Sequence, residues 1–367
     1  MKKSIFLILM MVTLALCGCS EERNSKPDST ATSSVPGLSV QDGTSENGDH
    51  PSGLEVDVGA ETPEQGPMGI YQAETLRFDL ETLCQVLLGD SYWVDEEIPP
   101  SGKMAYYTNG TSQITMNLER PEWFSFDTGD GSSITALILE AREDSPEPSF
   151  MVREAAISLA KGTLQKLGLD TEVAACYPLN EEAVQKLLAE RQSKYGGDLT
   201  EFSECQPCYV IELYQRVMGV SICREDIQLT QGDANNPSAV AAQPYLQVVV
   251  TADGISEISV FNCIEAGAPV QDEVAVISSD DAINTINKLY ENIISTSPLT
   301  IHHADLQYAA LPISLGDHTL RLQPVWVLRG EQEVSLNGRE GDTETMLMER
   351  VFYVDAVTSS FVEEAYR

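Results

Sequence analysis

Histidine is scarce, with 4 in 367 residues, and Lys plus Arg number 22 against 57 Asp plus Glu. No HExxH stands in the chain. His302 and His303, adjacent on a predicted strand, point to opposite faces and cannot chelate one ion together. No Gly-x-Ser-x-Gly elbow, no GxGxxG after a strand and no P-loop is present, so neither nucleophilic serine chemistry nor a phosphate cradle is predicted. The shortage of cations gives a net charge of −35, and phosphates would be repelled, so nucleic acid is excluded as a partner. Past Cys19 no apolar run is long enough to span a bilayer. Residues 20–69 contain no Phe, Tyr or Trp and are rich in Ser, Thr, Gly, Pro and acids. They cannot bury enough apolar surface to offset the entropy of ordering.

The N-terminus is rich in what the rest lacks. Lys2 and Lys3 precede an apolar core from Ile5 to Leu16, and Leu16-Cys17-Gly18-Cys19 has the spacing of a bacterial lipobox. Cleavage before Cys17 would put Leu16 where a small residue is required, so lipidation is assigned to Cys19. Residues 1–18 are then the signal peptide and residues 19–69 an anchor with an acidic, disordered tether. Loss of Lys2 and Lys3 with the signal takes the net charge from −35 to −37. As a flexible coil, fifty residues span about 35–42 Å. The implied location is the cell membrane, on its extracytoplasmic side, with lipid as the only membrane contact.

From residue 70 the periodicity is readable. Asp79 caps a predicted helix with Leu80, Leu83, Cys84, Leu87 and Leu88 on one face and Gly89 as its stop. Asn109-Gly110 marks a hairpin, and WFSF and SSITALILE read as further strands around the turn DTGDGSS, Asp127–Ser133, which lacks the alternating ligands of a calcium loop. Ser149 is the predicted cap of a second helix closed by Gly168, and Asn180 opens a shorter one. Strands CYVIELYQ, GVSIC, YLQVVVT and SEISVFNC follow. Ser278-Ser279-Asp280-Asp281 reads as a capping box for a fourth helix, followed by strands near LQYAALPI, HTLRLQPVWVLRG, MLMERVFYVDAV and SSFVEEA. The order predicts an α+β fold, with helices packed on antiparallel sheets in three successive helix-plus-four-strand units, at residues 70–145, 146–270 and 271–367.

Six cysteines remain besides the anchor. Cys84 lies on a helical apolar stripe and reads as a buried, reduced thiol. Cys205-Gln206-Pro207-Cys208 has the spacing of a redox pair, but a strand follows it where a thiol exchanger would place a helix; Cys205 and Cys208 are read as either a disulfide or a redox pair. Tyr106, Tyr107, Trp123, Phe124, Phe126, Trp326, Phe352 and Tyr353 fall on strands, as packing residues or as a ligand face. No catalytic residue, cofactor or metal ligand is assigned.

The ending PVWVLRG…RVFYVDAVTSSFVEEA resembles the close of PepSY-like domains, where an aromatic-rich strand leads into a hairpin before a final strand. YVIELYQRVMGVSI is similar to the strand–turn–strand of the same group. The arrangement also resembles the extracytoplasmic regulatory proteins YycH and YycI and lipoproteins of Gram-positive bacteria, mainly over residues 205–264 and 279–364. Where that pattern carries Gly after Thr, Ser359 stands here. The resemblance implies binding or regulation at the cell surface, with an envelope protein or peptide as partner. The alternatives are an extracellular enzyme, by thiol–disulfide exchange or with a carboxylate pair, and a ligand-carrying component of a transport system. Oligomeric state is not encoded in any visible motif.

Overall fold

The computed structural model describes residues 54–56, 68–94, 104–117, 122–128, 145–195, 206–230, 239–290, 299–315, 319–337 and 343–366, all within the unit Pro51–Arg367. The signal, Cys19, most of the predicted tether, the strand SSITALILE and all but the first two residues of the turn after Phe126 lie outside the described residues.

In chain order the elements are β1 (Leu54–Val56), β2 (Met68–Thr75), α1 (Leu80–Leu87), β3 (Trp93–Val94), β4 (Met104–Thr108), β5 (Gln113–Asn117) and β6 (Phe124–Asp127). Next come α2 (Arg153–Lys166), β7 (Thr171–Leu179), α3 (Glu181–Tyr195), β8 (Cys208–Val217), β9 (Val220–Ser221), β10 (Ile227–Thr230) and β11 (Ala239–Ala241). The remainder is β12 (Tyr245–Thr251), β13 (Gly254–Phe261), β14 (Ile264–Val274), α4 (Ser279–Tyr290), β15 (Leu299–Pro312), β16 (Leu320–Asn337), β17 (Thr343–Asp355) and a 3-10 turn, Val362–Tyr366.

Strand outweighs helix by more than two to one, and the predicted α+β architecture of three units is overturned. The strands form one nine-stranded sheet in the order β3-β4-β5-β6-β13-β12-β8-β7, with β9 beside β8, and one six-stranded sheet in the order β1-β15-β16-β2-β14, with β17 beside β16. Only β10 and β11 stand apart, as a two-stranded ribbon. The six-stranded sheet thus draws on strands within residues 54–56, 68–75, 264–274 and 299–355, and the nine-stranded sheet on strands within residues 93–127 and 171–261. Hydrophobic alternation tells which face of a strand is buried but not which strand lies beside it. The pairing β6–β13, which joins Phe124–Asp127 to Glu257–Val260, is of that kind.

Local signals survive this rearrangement. The Asp79 carboxylate accepts from the Thr82 N–H at 2.9 Å, and hydrogen bonds from the Thr82 hydroxyl and N–H hold its pKa below the usual carboxylate value. Asn180 Oδ1 accepts from Ala183 N–H at 2.8 Å. Ser278 and Asp281 form the reciprocal capping box, with Asp281 N–H donating to Ser278 Oγ at 3.1 Å. The second helix departs from expectation: its cap is Val152, with no side-chain hydrogen bond, and not Ser149. Ser359 has a left-handed backbone, at φ 59°, while Asp355 Oδ1 accepts from the N–H groups of Val357 and Thr358.

Each large sheet carries a core on both faces. On the nine-stranded sheet, Leu83 and Cys84 of α1 and Ala156, Ala160 and Leu164 of α2 pack with Ile114, Phe124, Val248 and Val260. Leu187 and Leu188 of α3 cover Val210 and Val249 on the other face. This two-sided cover explains why β12 is buried from Leu246 to Thr251 instead of alternating. On the six-stranded sheet, Ile283 and Ile286 of α4 share a core with Tyr308, Trp326 and Leu328, and the Trp326 indole donates to Ile277 O at 3.0 Å. The opposite face holds Ala309, Leu311, Val325 and Val327 under Ile227, Leu229 and Ala241 of the ribbon.

Two glutamines join the sheets. Gln215, on β8, donates to Ile264 O at 2.6 Å and accepts from Ile264 N–H at 2.8 Å. Gln243, between β11 and β12, donates to Ala310 O at 3.0 Å and accepts from Ala310 N–H at 2.9 Å. Both side chains are buried, and each amide replaces the neighbouring strand that a backbone donor and acceptor pair would otherwise need. Substituting Gln243→Leu strands both Ala310 groups in a dry interior. The expected loss is about 2–4 kcal/mol, read as a lower urea midpoint at unchanged slope. Gly330 supplies a second test. It lies opposite Ile301, beside the register shift between Ile301 and His303, where a Cβ would run into the carbonyl oxygen of Thr300. Gly330→Ala is expected to cost about 2 kcal/mol or more by the same measurement, because strand backbone cannot yield as a side chain can.

Candidate functional site

Of the strand edges that lack a strand partner among the described residues, two face each other. β10 bonds to β11 on one side, through Ile227–Ala241 and Gln228–Val240, and to no strand on the other. β17 bonds to β16 along its whole length, and its far edge meets only the single bridge Val354–Phe361. The two edges border one cleft of about 760 Å³. Gln228, Leu229 and Thr230 line it from β10, and Val351, Phe352 and Tyr353 from β17. Consecutive residues of a strand point to opposite faces, so three in a row on a cleft wall mean that the strand presents its edge, with backbone N–H and C=O groups turned in.

The charged residues of the lining are all acids among the described residues: Glu225, Asp226 and Glu363. Arg329, behind the cleft, donates from one Nη2 to both Glu225 oxygens at 2.9 Å and lies 3.5 Å from Asp305 through Nη1. Burial works against its charge, but Glu225 and Asp305 outweigh it and raise the guanidinium pKa above its ordinary value. One cation is therefore divided between two carboxylates, and an excess of negative charge remains. Asp226 Oδ1 accepts from Gln243 N–H at 2.9 Å, which ties the start of β10 to the amide that holds β15. Burial, then Cys223 and Glu225, keeps the Tyr353 phenol protonated far above its usual range. Arg224 pairs with Glu212 and lies 6.0 Å from the Tyr245 ring centre, continuing the line of charges away from the cleft.

Of the aromatic residues singled out in the sequence, Phe352 and Tyr353 reach this cleft. Phe124, Phe126, Tyr107 and Trp326 are core, and Trp123 stacks on Phe261 at 5.6 Å. Glu225, Asp226, Arg329 and Glu363 carried no sequence signal beyond an acid pair before a short strand and an arginine in a long one. His302 lies 3.7 Å from Glu331, and His50 and His318 lie outside the described residues. Among the described residues no three His, Cys, Asp or Glu side chains sit together as metal ligands.

Cys205 lies outside the described residues. Cys208 opens β8 and is fully buried beside Leu179, Leu187 and Leu188. Cys84, Cys223 and Cys263 are buried free thiols. Desolvation raises the Cys84 pKa from 9.0 to about 11 and pushes Cys223 and Cys263 higher still. Above pH 9 the unfolded chain releases these protons while the folded chain keeps them, so stability falls as pH rises, for Cys84 from 9.0 to about 11. Tyr209 and Tyr245, raised by burial from 10.0 to about 12, extend the fall upward. The expected outcome is an unfolding free energy that declines through this window, with a decline about 2 kcal/mol smaller in Cys84→Val. Equal declines in the two proteins would refute it.

No protein-family model matches the chain, and no curated protein does. Among solved structures, the fold is similar to that of an uncharacterized protein from Eubacterium rectale, with a TM-score of 0.55 and 17% sequence identity. The match covers 86% of this chain and 89% of that one. At this identity the likeness is one of fold.

Proposed function

We propose that this protein is an extracytoplasmic lipoprotein, anchored through Cys19, whose folded body binds a protein or peptide partner and performs no chemistry on it. The observation that carries the reading is the cleft bordered by the open edges of β10 and β17. An edge pair offers backbone donors and acceptors to a chain laid alongside, which is a binding device before it is a catalytic one. The lipobox and the aromatic-free stretch behind it support the same reading from the sequence. So does the resemblance of residues 205–264 and 279–364 to PepSY-like and YycI-like domains. A tether of residues 20–53, about 29–35 Å as a flexible coil, keeps the body near the membrane and raises its effective concentration toward other membrane-held proteins.

Labelled fatty acid fed to expressing cells is expected to enter the wild-type protein and to be absent from Cys19→Ser, which leaves the membrane fraction. Cross-linking on intact cells is expected to yield a defined protein adduct, at least fivefold weaker when Cys19→Ser removes the anchor. If no adduct rises above an unrelated lipoprotein control in any growth phase, the binding role is wrong, whatever the lipid result.

A further inference from the structure

The cleft also indicates what it takes. We infer that its occupant is an extended, cationic segment of a partner protein, which adds as a strand to the open edge of β17. This inference rests on the binding role proposed above and names the chemistry of the partner.

Three observations carry it. Val351, Phe352 and Tyr353 line the cleft consecutively, so β17 offers its edge, and an antiparallel or parallel newcomer completes the ladder beyond it. The opposite wall is the second open edge, Gln228–Thr230, so the occupant's other edge also meets backbone donors and acceptors. An occupant between two strand edges is itself extended; a helix has no free backbone groups to give. The third observation is charge. Glu225, Asp226 and Glu363 line the cleft, and Arg329, the guanidinium paired with Glu225, is already shared with Asp305. Val351 and Phe352, both part-buried, supply apolar ground beside the acids. Side chains of an added strand alternate in direction, so a segment alternating Lys or Arg with apolar residues meets the acids and the apolar patches together.

Charge also excludes the nearest competitor. The chain's own stretch from residue 20 to 53, before β1, carries Glu21, Glu22, Asp28, Asp42, Glu46 and Asp49 against Arg23 and Lys26. It would be repelled from a cleft lined by carboxylates, and at a net charge of −35 so would a second copy of the chain.

The test uses the full chain purified in detergent and short fluorescent peptides read by anisotropy. A hexapeptide alternating Lys and Val is expected to bind, with its alternating Glu and Val counterpart at least tenfold weaker. Raising salt from about 50 to 500 mM is expected to weaken the Lys peptide at least tenfold. Glu363→Lys, a change at a part-buried side chain on the cleft wall, is expected to weaken it at least fivefold while leaving the thermal midpoint in place. Strand addition is tested on the peptide. Two Lys–Val peptides N-methylated at alternate residues, in opposite phase, are each expected to bind at least tenfold more weakly than the parent, because each phase removes the donors aimed at one of the two strand edges. A photoreactive group on the parent peptide is expected to mark residues within 225–230 or 351–353. Equal binding of the Lys and Glu peptides, binding of both methylated peptides equal to that of the parent, or a mark elsewhere overturns the inference. A specific adduct on cells with no peptide binding here would leave the partner-binding role standing and remove the strand-addition chemistry alone.

Discussion

Gln243 is the side chain on which the arrangement of the cleft depends. Its amide binds both backbone groups of Ala310 in β15, and its own N–H is held by the carboxylate of Asp226 at the head of β10. It therefore fixes the two-stranded ribbon over one face of the six-stranded sheet, and with it the distance from the β10 edge to the β17 edge. A ribbon of two short strands has little stability of its own. Here the apolar contacts of Ile227, Leu229 and Ala241 with Ala309, Val325 and Val327 give it adhesion, and the Gln243 amide gives it position. Hydrophobic burial is non-directional and would tolerate a shift along the strand. A two-point hydrogen bond in a dry interior does not.

Gln215 does the corresponding work deeper in, between β8 and β14. The backbone bonds of Leu76 N–H to Cys263 O and Cys223 N–H to Tyr308 O, each 2.7 Å, lie near these ties. The two sheets are joined through polar backbone contacts at specific residues, with apolar packing filling the space around them. A seam of this kind is sensitive to single substitutions, since losing either amide strands two buried groups at once. The charged residues near the cleft follow a different logic. Arg329 is largely buried yet serves two carboxylates, and Glu225 remains 43% exposed, so the pair contributes modestly to stability and mainly orients the acid toward the cleft.

What could be read in the chain was local. Asp79, Asn180 and the Ser278–Asp281 box announce helix starts because capping is chemistry between residues three apart. Asn109 and Gly110 turn a hairpin for a similar reason, with the Asn109 amide oxygen accepting from the N–H groups of Thr111 and Ser112. The sheets were not legible, and neither was the cleft. β2 and β16 meet through Ala73 and Leu320, almost 250 residues apart, and nothing in either strand names the other. Their hydrophobic patterns fit any partner with one apolar face. Four helices, in three groups separated by runs of strands, suggest three units when sequence order stands for spatial order. The cleft escaped notice on the same ground: Glu225, Arg329 and Glu363 are unremarkable where they stand in the chain and acquire meaning only when three distant segments converge. Phe352 and Tyr353 were visible as strand aromatics, but which of eight such residues would border open space depended on pairings the sequence does not state.

An open edge is usually a hazard, because it invites pairing with any extended chain. Natural sheets defend such edges with charge, and lysine is the common choice. This chain sets carboxylates there instead, in a body with 57 acids and 22 cations. Acids defend against other copies of the same acidic chain as well as lysines would, since like charges repel whatever their sign. They differ in what they admit. A cleft walled by backbone edges and lined with Glu225, Asp226 and Glu363 rejects itself, its own tether and nucleic acid on one principle, and leaves cationic extended segments as the class that gains on entry. Protection from self-association and choice of partner are then one electrostatic property of the site.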